Sequence, residues 1–418
     1  MRLHKNLVVA VIKVLDGVFN QNLYADKTIE KVLKLDKRWG SRDRGFIAET
    51  SYEIIRWKRL YSEIAEVKSP FKYKELWKIF AVWAVLKGIQ LPGWPELNDT
   101  PNRRIKGRFD ELIKIRKFKE SIPDWMDKLG VDELGEKKWG NELNALNQKA
   151  SVIIRVNSLK TSIDKVQEIL SDEDIQTEKI KGYPEALKLI IRKNLFLTNA
   201  FKNGFFEIQD ASSQLVAPFL QIEEGMKICD VCAGAGGKTL HLSALSKNKG
   251  QIIAMDIYKN KLHELKRRAK RNNAFNIETR VIENNKPIKR LYGKIDRLLI
   301  DSPCSGLGVL KRNPGSKWNL SLDFLNKIRN AQQDILQKYA PMIKKDGKLV
   351  YATCSILPSE NELQIDKFLK SEIGKDFNLS EMFIVRKAYP LKAANFIRMY
   401  GKTNFGEGGG FPDALNVI

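Results

Sequence analysis

Apolar residues recur at helical spacing from the start of the chain. Leu7, Val8, Val11, Ile12, Leu15, Val18 and Phe19 form one stripe that stops before Asn20. The stretch 42–66 carries Phe46, Ile47, Ile54, Ile55, Trp57 and Tyr61, with Arg56, Lys58 and Arg59 among them, and reads as one long helix. A third helix is predicted over Lys74 to Lys87. Leu91-Pro-Gly-Trp-Pro95 and Asn98-Asp-Thr-Pro101 then break the period. Helical spacing resumes from Phe109 into the 140s, so the first section is expected to be all-helical.

At Ala150 the period changes. Ser151–Asn157 and Ala186–Ile191 are strands by β-branched content, with a helix at Ile163–Leu170 between them, which gives a small α+β module over about 150–205. From Lys227 strands and helices alternate. The strands are Lys227–Cys232, Gln251–Ile257, Ile277–Ile282, Ile295–Asp301 and Lys348–Cys354. The helices are Thr239–Ser246, Lys259–Asn272 and a long one from about Ser321 to Ile343. This alternation predicts a mostly parallel α/β sheet with ligands at the carboxyl ends of its strands. The expected division is 1–125 helical, 126–215 helical linker with the α+β module, and 216–418 the α/β domain.

Composition narrows the chemistry. Lys and Arg number 73 against 50 Asp and Glu, a formal charge of +23 over 418 residues. The excess is spread along the chain, with peaks at Arg103–Arg108, Lys114–Lys119 and Lys266–Arg271. A broad positive potential suits a polyanion: RNA, DNA or an anionic membrane face. The longest apolar run, Ile79 to Leu86, is far short of a membrane span. No N-terminal export signal is seen, and four cysteines make no disulfide framework, so a reducing cytoplasm is the expected compartment. The three histidines, His4, His241 and His263, read as ordinary helix positions, leaving little room for a His-ligated metal or a Ser-His-Asp triad. No metal is expected.

Asp230-Val-Cys-Ala-Gly-Ala-Gly-Gly-Lys-Thr239 ends the first strand of the sheet and opens a helix. Its glycines allow close backbone approach, and the helix N-terminus points at whatever lies there. A phosphate-binding P-loop would need Gly at Cys232, and a dinucleotide fingerprint would need Gly at Thr239. The remaining reading is the shorter loop of S-adenosylmethionine enzymes, with Asp256 at the next strand end placed for ribose hydroxyls. Cys229 and Cys232 form a C-x-x-C pair with no second pair for zinc. Cys304, in Asp301-Ser-Pro-Cys304-Ser, and Cys354, in Tyr351-Ala-Thr-Cys354-Ser, end successive strands. Either alone reads as a small buried hydrophobe. Together they suit methylation at carbon 5 of cytosine: a thiolate adds at carbon 6 and activates carbon 5, Asp301 steadies the ring, and the second thiol serves the elimination stage.

These boxes, with Lys311-Arg312-Asn313-Pro314 and Lys317-Trp318, and with Tyr351-Ala-Thr-Cys354-Ser-Ile-Leu-Pro-Ser-Glu-Asn361, resemble the Sun/Fmu (RsmB-like) family of RNA cytosine-C5 methyltransferases. The resemblance covers about 205–370. It implies a Rossmann-like class I methyltransferase domain using S-adenosylmethionine. Ile154-Arg-Val-Asn157 and Gly204–Ser213 resemble the family's small α+β RNA-binding extension, and 42–66 resembles a NusB-like helical domain. By the resemblance Cys354 is the nucleophile and Cys304 assists product release, whereas DNA cytosine methyltransferases attack with the Pro-Cys thiol. Cofactor contacts carry over to Cys232, Ala233, Gly234, Ala235, Gly236, Gly237, Lys238, Asp256, Asn284 and Asp301. RNA contacts are expected at Arg155, Asn157, Lys311 and Arg312.

Three departures stand out. Gly234-Ala235 replaces the usual Ala-Pro of the loop, Asn284 stands where an acid is usual, and Gly408-Gly-Gly-Phe-Pro412 replaces an Asp-Gly-Phe element. The expected activity is methylation of small-subunit (16S) ribosomal RNA by a monomer. The same reaction on transfer RNA, a non-catalytic RNA-binding scaffold and a nucleotide hydrolase built on Gly237-Lys-Thr239 are the rival readings.

Overall fold

The structure, a computed structural model, describes residues 2–98, 100–384 and 395–401. The Gly408–Pro412 departure lies outside the described residues.

The N-terminal region is helical: α1 (Lys5–Phe19), α2 (Ala25–Leu33), α3 (Ser41–Arg56), α4 (Lys58–Ile64) and α5 (Tyr73–Leu86). The α1 stripe and the apolar run of α5 from Ile79 to Val85, with Leu76 and Trp77, are buried in one core, so packing rather than propensity holds these helices. The single helix expected over 42–66 is two, broken at Trp57. The break is fixed from far along the chain: the Ser121 hydroxyl accepts from the amides of Arg59 (3.0 Å) and Leu60 (3.4 Å), capping the start of α4. The pattern from Phe109 onward resolves into Asn102–Leu112, Arg116–Lys119, Asp124–Leu134 and Glu136–Leu146. Ile122, Met126, Trp139, Leu143 and Leu146 leave the N-terminal core and pack with Leu307, Leu310, Leu325, Ile356 and Leu357.

The small module is an antiparallel sheet of β1 (Ile153–Val156), β2 (Thr177–Ile180), β3 (Tyr183–Leu189) and β4 (Phe206–Ile208), in the order β2-β3-β1-β4. Its helix Ile163–Asp172 is capped by Ser162 and buries Val166 and Leu170.

The large sheet has β5 (Lys227–Asp230), β6 (Gln251–Asp256), β7 (Ile277–Val281), β8 (Ile295–Asp301), β9 (Ile343–Thr353), β10 (Phe377–Ile384) and β11 (Asn395–Gly401), in the order β10-β11-β9-β8-β5-β6-β7. From β7 through β6, β5 and β8 to β9 every pairing is parallel; β11 and β10 close the other edge antiparallel. Helices Gly237–Leu245, Lys259–Asn272 and Leu322–Tyr339 connect the strands. Chain order runs one way from β5 to β7 and reverses at β8, so a crevice opens between β5 and β8 at their carboxyl ends. This is the Rossmann-like sheet that the alternation predicts.

Candidate active site

Strand register delivers the thiols. β8 and β9 are parallel neighbours with Asp301 opposite Ala352, so their following loops leave the sheet side by side. Cys304 and Cys354 sit in those loops, both partly exposed, with their sulfurs 3.3 Å apart. That is hydrogen-bond distance, and both are free thiols. The bond to Cys354, followed by burial and the Cys354 and Glu360 charges, pushes the Cys304 thiol well up from its ordinary value. Cys304 is thus held toward the protonated thiol.

A charged pair completes this wall. Lys238, in the first turn of the helix after the glycine loop, lies 2.5 Å from the Asp301 carboxylate. Burial works against the ammonium, but the Asp301 charge and hydrogen bond outweigh it, and Cys354 adds in the same sense, so the net shift of Lys238 is upward. The attraction is reciprocal: the ammonium favours negative charge on the Cys354 sulfur.

The glycine loop is shaped by its backbone. Gly236 has φ +85°, and a Cβ there would lie 2.5 Å from Leu265 Cγ, so the position needs glycine both for conformation and for space. Gly234 also has positive φ, and its N–H donates to Asp256 Oδ2 at 2.8 Å. The other oxygen of Asp256 accepts from Tyr258 N at 2.8 Å. Both oxygens keep a second lone pair for hydroxyl donors. Ile257 and Tyr258, just beyond, are 62% and 52% exposed and offer an open apolar face beside the loop. The exposed Asn284 lies past the end of β7, its Oδ1 taking Lys286 N at 2.9 Å. A nucleoside with ribose hydroxyls and a flat base fits this donor and acceptor set. Cys232, Ala233, Ala235 and Gly237 line the same turn. Cys232 and Cys229 are both pushed up by burial and so stay thiols. Among the described residues no group of three or more His, Cys, Asp or Glu gathers as a metal would require.

Residues the sequence did not single out hold the loops. Glu360, fully buried, accepts from Ser305 N (2.7 Å), from Ser305 Oγ (2.5 Å) and from Ser355 Oγ. Gln332 donates to Pro303 O at 3.0 Å, and Asn361 donates to Leu357 O at 2.7 Å. The available signal is the repeated Cys-Ser dipeptide at adjacent strand ends.

The expected RNA contacts need correction. Arg155 is 2% exposed; its guanidinium donates to Gly237 O at 2.8 Å and to Gln209. Asn157 is equally interior, donating to Gly204 O and Asn272 O at 2.9 Å each. Arg312 is engaged with the Asp210 carboxylate and Ser151 O. All three tie the α+β module to the large sheet domain, because a side chain at a module seam is spent on the seam. Lys311 lies at the edge of a cavity of about 890 Å³, largely buried, and burial lowers its ammonium despite Asp210.

Fold and site together define a Rossmann-like α/β domain with two facing cysteines at the ends of adjacent strands. The chain belongs to the RsmB/F family of 16S rRNA methyltransferases: that family matches residues 217–408, and its ferredoxin-like domain matches 122–194. Bacillus subtilis "Probable ribosomal RNA small subunit methyltransferase B" is 31% identical over 317 residues, 75% of this chain and 67% of that protein. The Synechocystis protein of the same name is 37% identical over 257 residues, 60% of this chain but only 56% of its own length. The chain thus spans little more than half of that relative. Among solved structures, PH0851 superposes with a TM-score of 0.80 at 22% identity over 96% of this chain and 99% of that one. NSun6 from Pyrococcus horikoshii with SFG gives 0.61 at 20% identity, over 68% and 99%. These two show the fold.

Proposed function

We propose that the chain is an S-adenosylmethionine-dependent RNA cytosine-C5 methyltransferase acting on 16S ribosomal RNA in the cytoplasm. The carrying observation is the 3.3 Å approach of Cys304 and Cys354 beside the Lys238–Asp301 pair. The loop 232–238, Asp256 and the Ile257–Tyr258 face would hold the methyl donor, which would supply an electrophilic methyl group. Carbon 5 of cytosine is too weak a nucleophile until a thiolate has added at carbon 6. The Cys354 sulfur adds there, forming a C–S bond, and the ring's electron pair moves to carbon 5. Asp301, steadied by Lys238, faces ring nitrogen 3 and the exocyclic amine. After methylation the carbon 5 proton passes to water, the C–H electron pair restores the ring double bond, and the C–S bond breaks with its pair returning to the Cys354 sulfur, to which the Cys304 thiol 3.3 Å away donates a hydrogen bond. Cys304, which keeps its proton, serves this release stage. The base must be unstacked for the side chain to reach carbon 6.

We assign residues 1–125 and 126–215 to holding RNA and 216–418 to catalysis. The cavity at the meeting of these modules is lined by Arg192, Lys193 and Lys311, with Tyr52 and Trp57 beside them and Lys87 and Lys149 paired to Glu53 and Glu49 on its wall. Cations with interleaved aromatics suit a single-stranded RNA backbone. The names of the relatives favour ribosomal over transfer RNA.

Cys354→Ala is expected to abolish methylation while leaving cofactor binding near normal; retained turnover overturns the nucleophile assignment. Cys304→Ala is expected to accumulate a covalent protein–RNA adduct, read as a slow band on a denaturing gel. Bisulfite sequencing of ribosomal and transfer RNA from a deletion strain separates the two substrate readings.

A further inference from the structure

Two sulfurs on separate loops stay 3.3 Å apart only if something fixes both loops at once. Glu360 does so from beneath. Ser305 and Ser355 are the residues directly after the two cysteines, their hydroxyls 3.2 Å apart, and both donate to Glu360 Oε2. Oε1 takes Ser305 N at 2.7 Å and Gln332 Nε2 at 3.3 Å. The backbone of Glu360 is pinned by Tyr351 OH, which donates to its carbonyl at 2.9 Å. Asn361, next along, accepts from Thr353 Oγ1 at 2.5 Å and donates to Ser355 O at 3.2 Å. Each loop is therefore gripped on both sides of its cysteine.

The grip alone does not require an acid. Glu360 is 0% exposed, and its carboxylate meets only hydroxyl, amide and backbone N–H donors, with no Lys or Arg in an ion pair with it among the described residues. Burying a carboxylate costs several kcal/mol of hydration that neutral donors offset only in part. Glutamine would make a comparable set of bonds without that cost, because the two serine hydroxyls can turn to accept. The charge therefore points to a use. Cys304 is acted on by the charges of Cys354 and Glu360, with Tyr351 also nearby. Lys238, held to Asp301, acts on the Cys354 side. Negative charge beneath Cys304 and positive charge beside Cys354 divide the pair.

We propose that Glu360 is a positioning residue that makes the two thiols unequal: it holds their loops in register with its carboxylate bonded twice to the Cys304 loop and once to the Cys354 loop, so that Cys354 is the nucleophile. The proposal rests on the methyltransferase reading for its purpose, but its test needs no RNA. The full-length protein is treated with iodoacetamide between pH 6.5 and 9.5, and modification of each cysteine is followed by peptide mass spectrometry. In the native protein Cys354 is expected to react first and Cys304 to lag. In Glu360→Gln the Cys304 profile should move to lower pH, and the Cys354-to-Cys304 rate ratio should fall about tenfold, one pH unit's worth of preference. Ser305→Ala and Ser355→Ala keep the charge and loosen one loop each, so they should disturb the ratio less than Glu360→Gln does. A ratio and profiles unchanged in Glu360→Gln overturn the proposal, as does a native protein in which Cys304 reacts first. A lowered melting temperature with an unchanged ratio is the signature of a merely structural glutamate and also overturns it. If the ratio shifts as expected while the native protein methylates no RNA, the functional reading fails and the division of the thiols stands.

Discussion

Lys238 shows how one residue serves two partners. It holds Asp301 by a 2.5 Å ion pair and acts through space on the Cys354 sulfur. Charge interactions at a partly screened site are of order 1–3 kcal/mol, so Lys238→Met is expected to slow both Cys354 alkylation and methyl transfer by about ten- to a hundredfold. Lys238→Arg should recover part of that loss. Alkylation rates at pH 8, with single-turnover methylation beside them, check this; an unchanged Cys354 rate removes the electrostatic role. At this scale the places of Cys304 and Cys354 were legible, since both stand at the ends of unmistakable strands. Their supports were not. Glu360 and Gln332 gain meaning only when the loop after β9 and the helix Leu322–Tyr339 come together, a coincidence that no local spacing encodes. Arg155, Asn157 and Arg312 mislead for the converse reason: cationic or polar in the sequence, they are consumed by carbonyls and Asp210 across module seams.

Among elements, the parallel strands were the most legible, helped by apolar runs buried on both faces such as Ile252–Met255 and Leu298–Ile300. β8 has the expected bounds, and β5, β6 and β7 fall within two residues of theirs. The short α2 buries only Thr28, Ile29 and Val32, and was missed although Ala25, Ile29, Val32 and Leu33 stand at helical spacing. The contact between β5 and the helix Gly237–Leu245 carries a consequence for stability. Burial raises the Asp230 carboxyl to about 7, against the Thr239 hydroxyl. Burial, with Arg155, lowers His241 to about 4. Between about pH 4 and 7 the folded state therefore holds the extra proton at Asp230, and its contribution falls as pH rises. From about pH 4 to 6.5 the unfolded state holds the extra proton at His241, and that contribution rises with pH. The two slopes oppose each other. Relative to the native protein, Asp230→Asn is expected to gain about 2–3 kcal/mol between pH 4.5 and 6.5, and His241→Gln to lose a similar amount. Urea unfolding at three pH values across that window checks both signs. Variants that parallel the native curve would mean these groups are solvated.

Over the whole molecule, the +23 charge is divided between two uses. Part is internal: Arg268 and Arg271, from the basic run on helix Lys259–Asn272, pair with the buried Glu207 of β4. Arg56 likewise donates to Leu146 O (3.1 Å) and Lys311 O (2.8 Å), and Trp318 donates to Ile55 O at 2.8 Å, joining the helical bundle to the loop that follows Cys304. Other cations line the cavity beside Arg56, where residues of all three modules meet. Cations that hold the modules together and cations that hold RNA should differ in salt response. Each phosphate contact contributes about 0.7 to the slope of log affinity against log salt for single strands. Arg192→Ala with Lys311→Ala is therefore expected to weaken RNA binding and to flatten that slope by about 1.4. Arg56→Ala leaves two carbonyls without their donor, so it should lower the melting temperature and weaken RNA binding by misplacing the bundle, with the slope of the remaining bound state little changed. Titrations of a ribosomal RNA fragment from 50 to 300 mM salt, run beside thermal melts, separate the two. A double variant with an unaltered slope would place the RNA backbone elsewhere on the surface. An Arg56→Ala variant that melts like the native protein and loses slope would make Arg56 an RNA contact instead of a tie between modules.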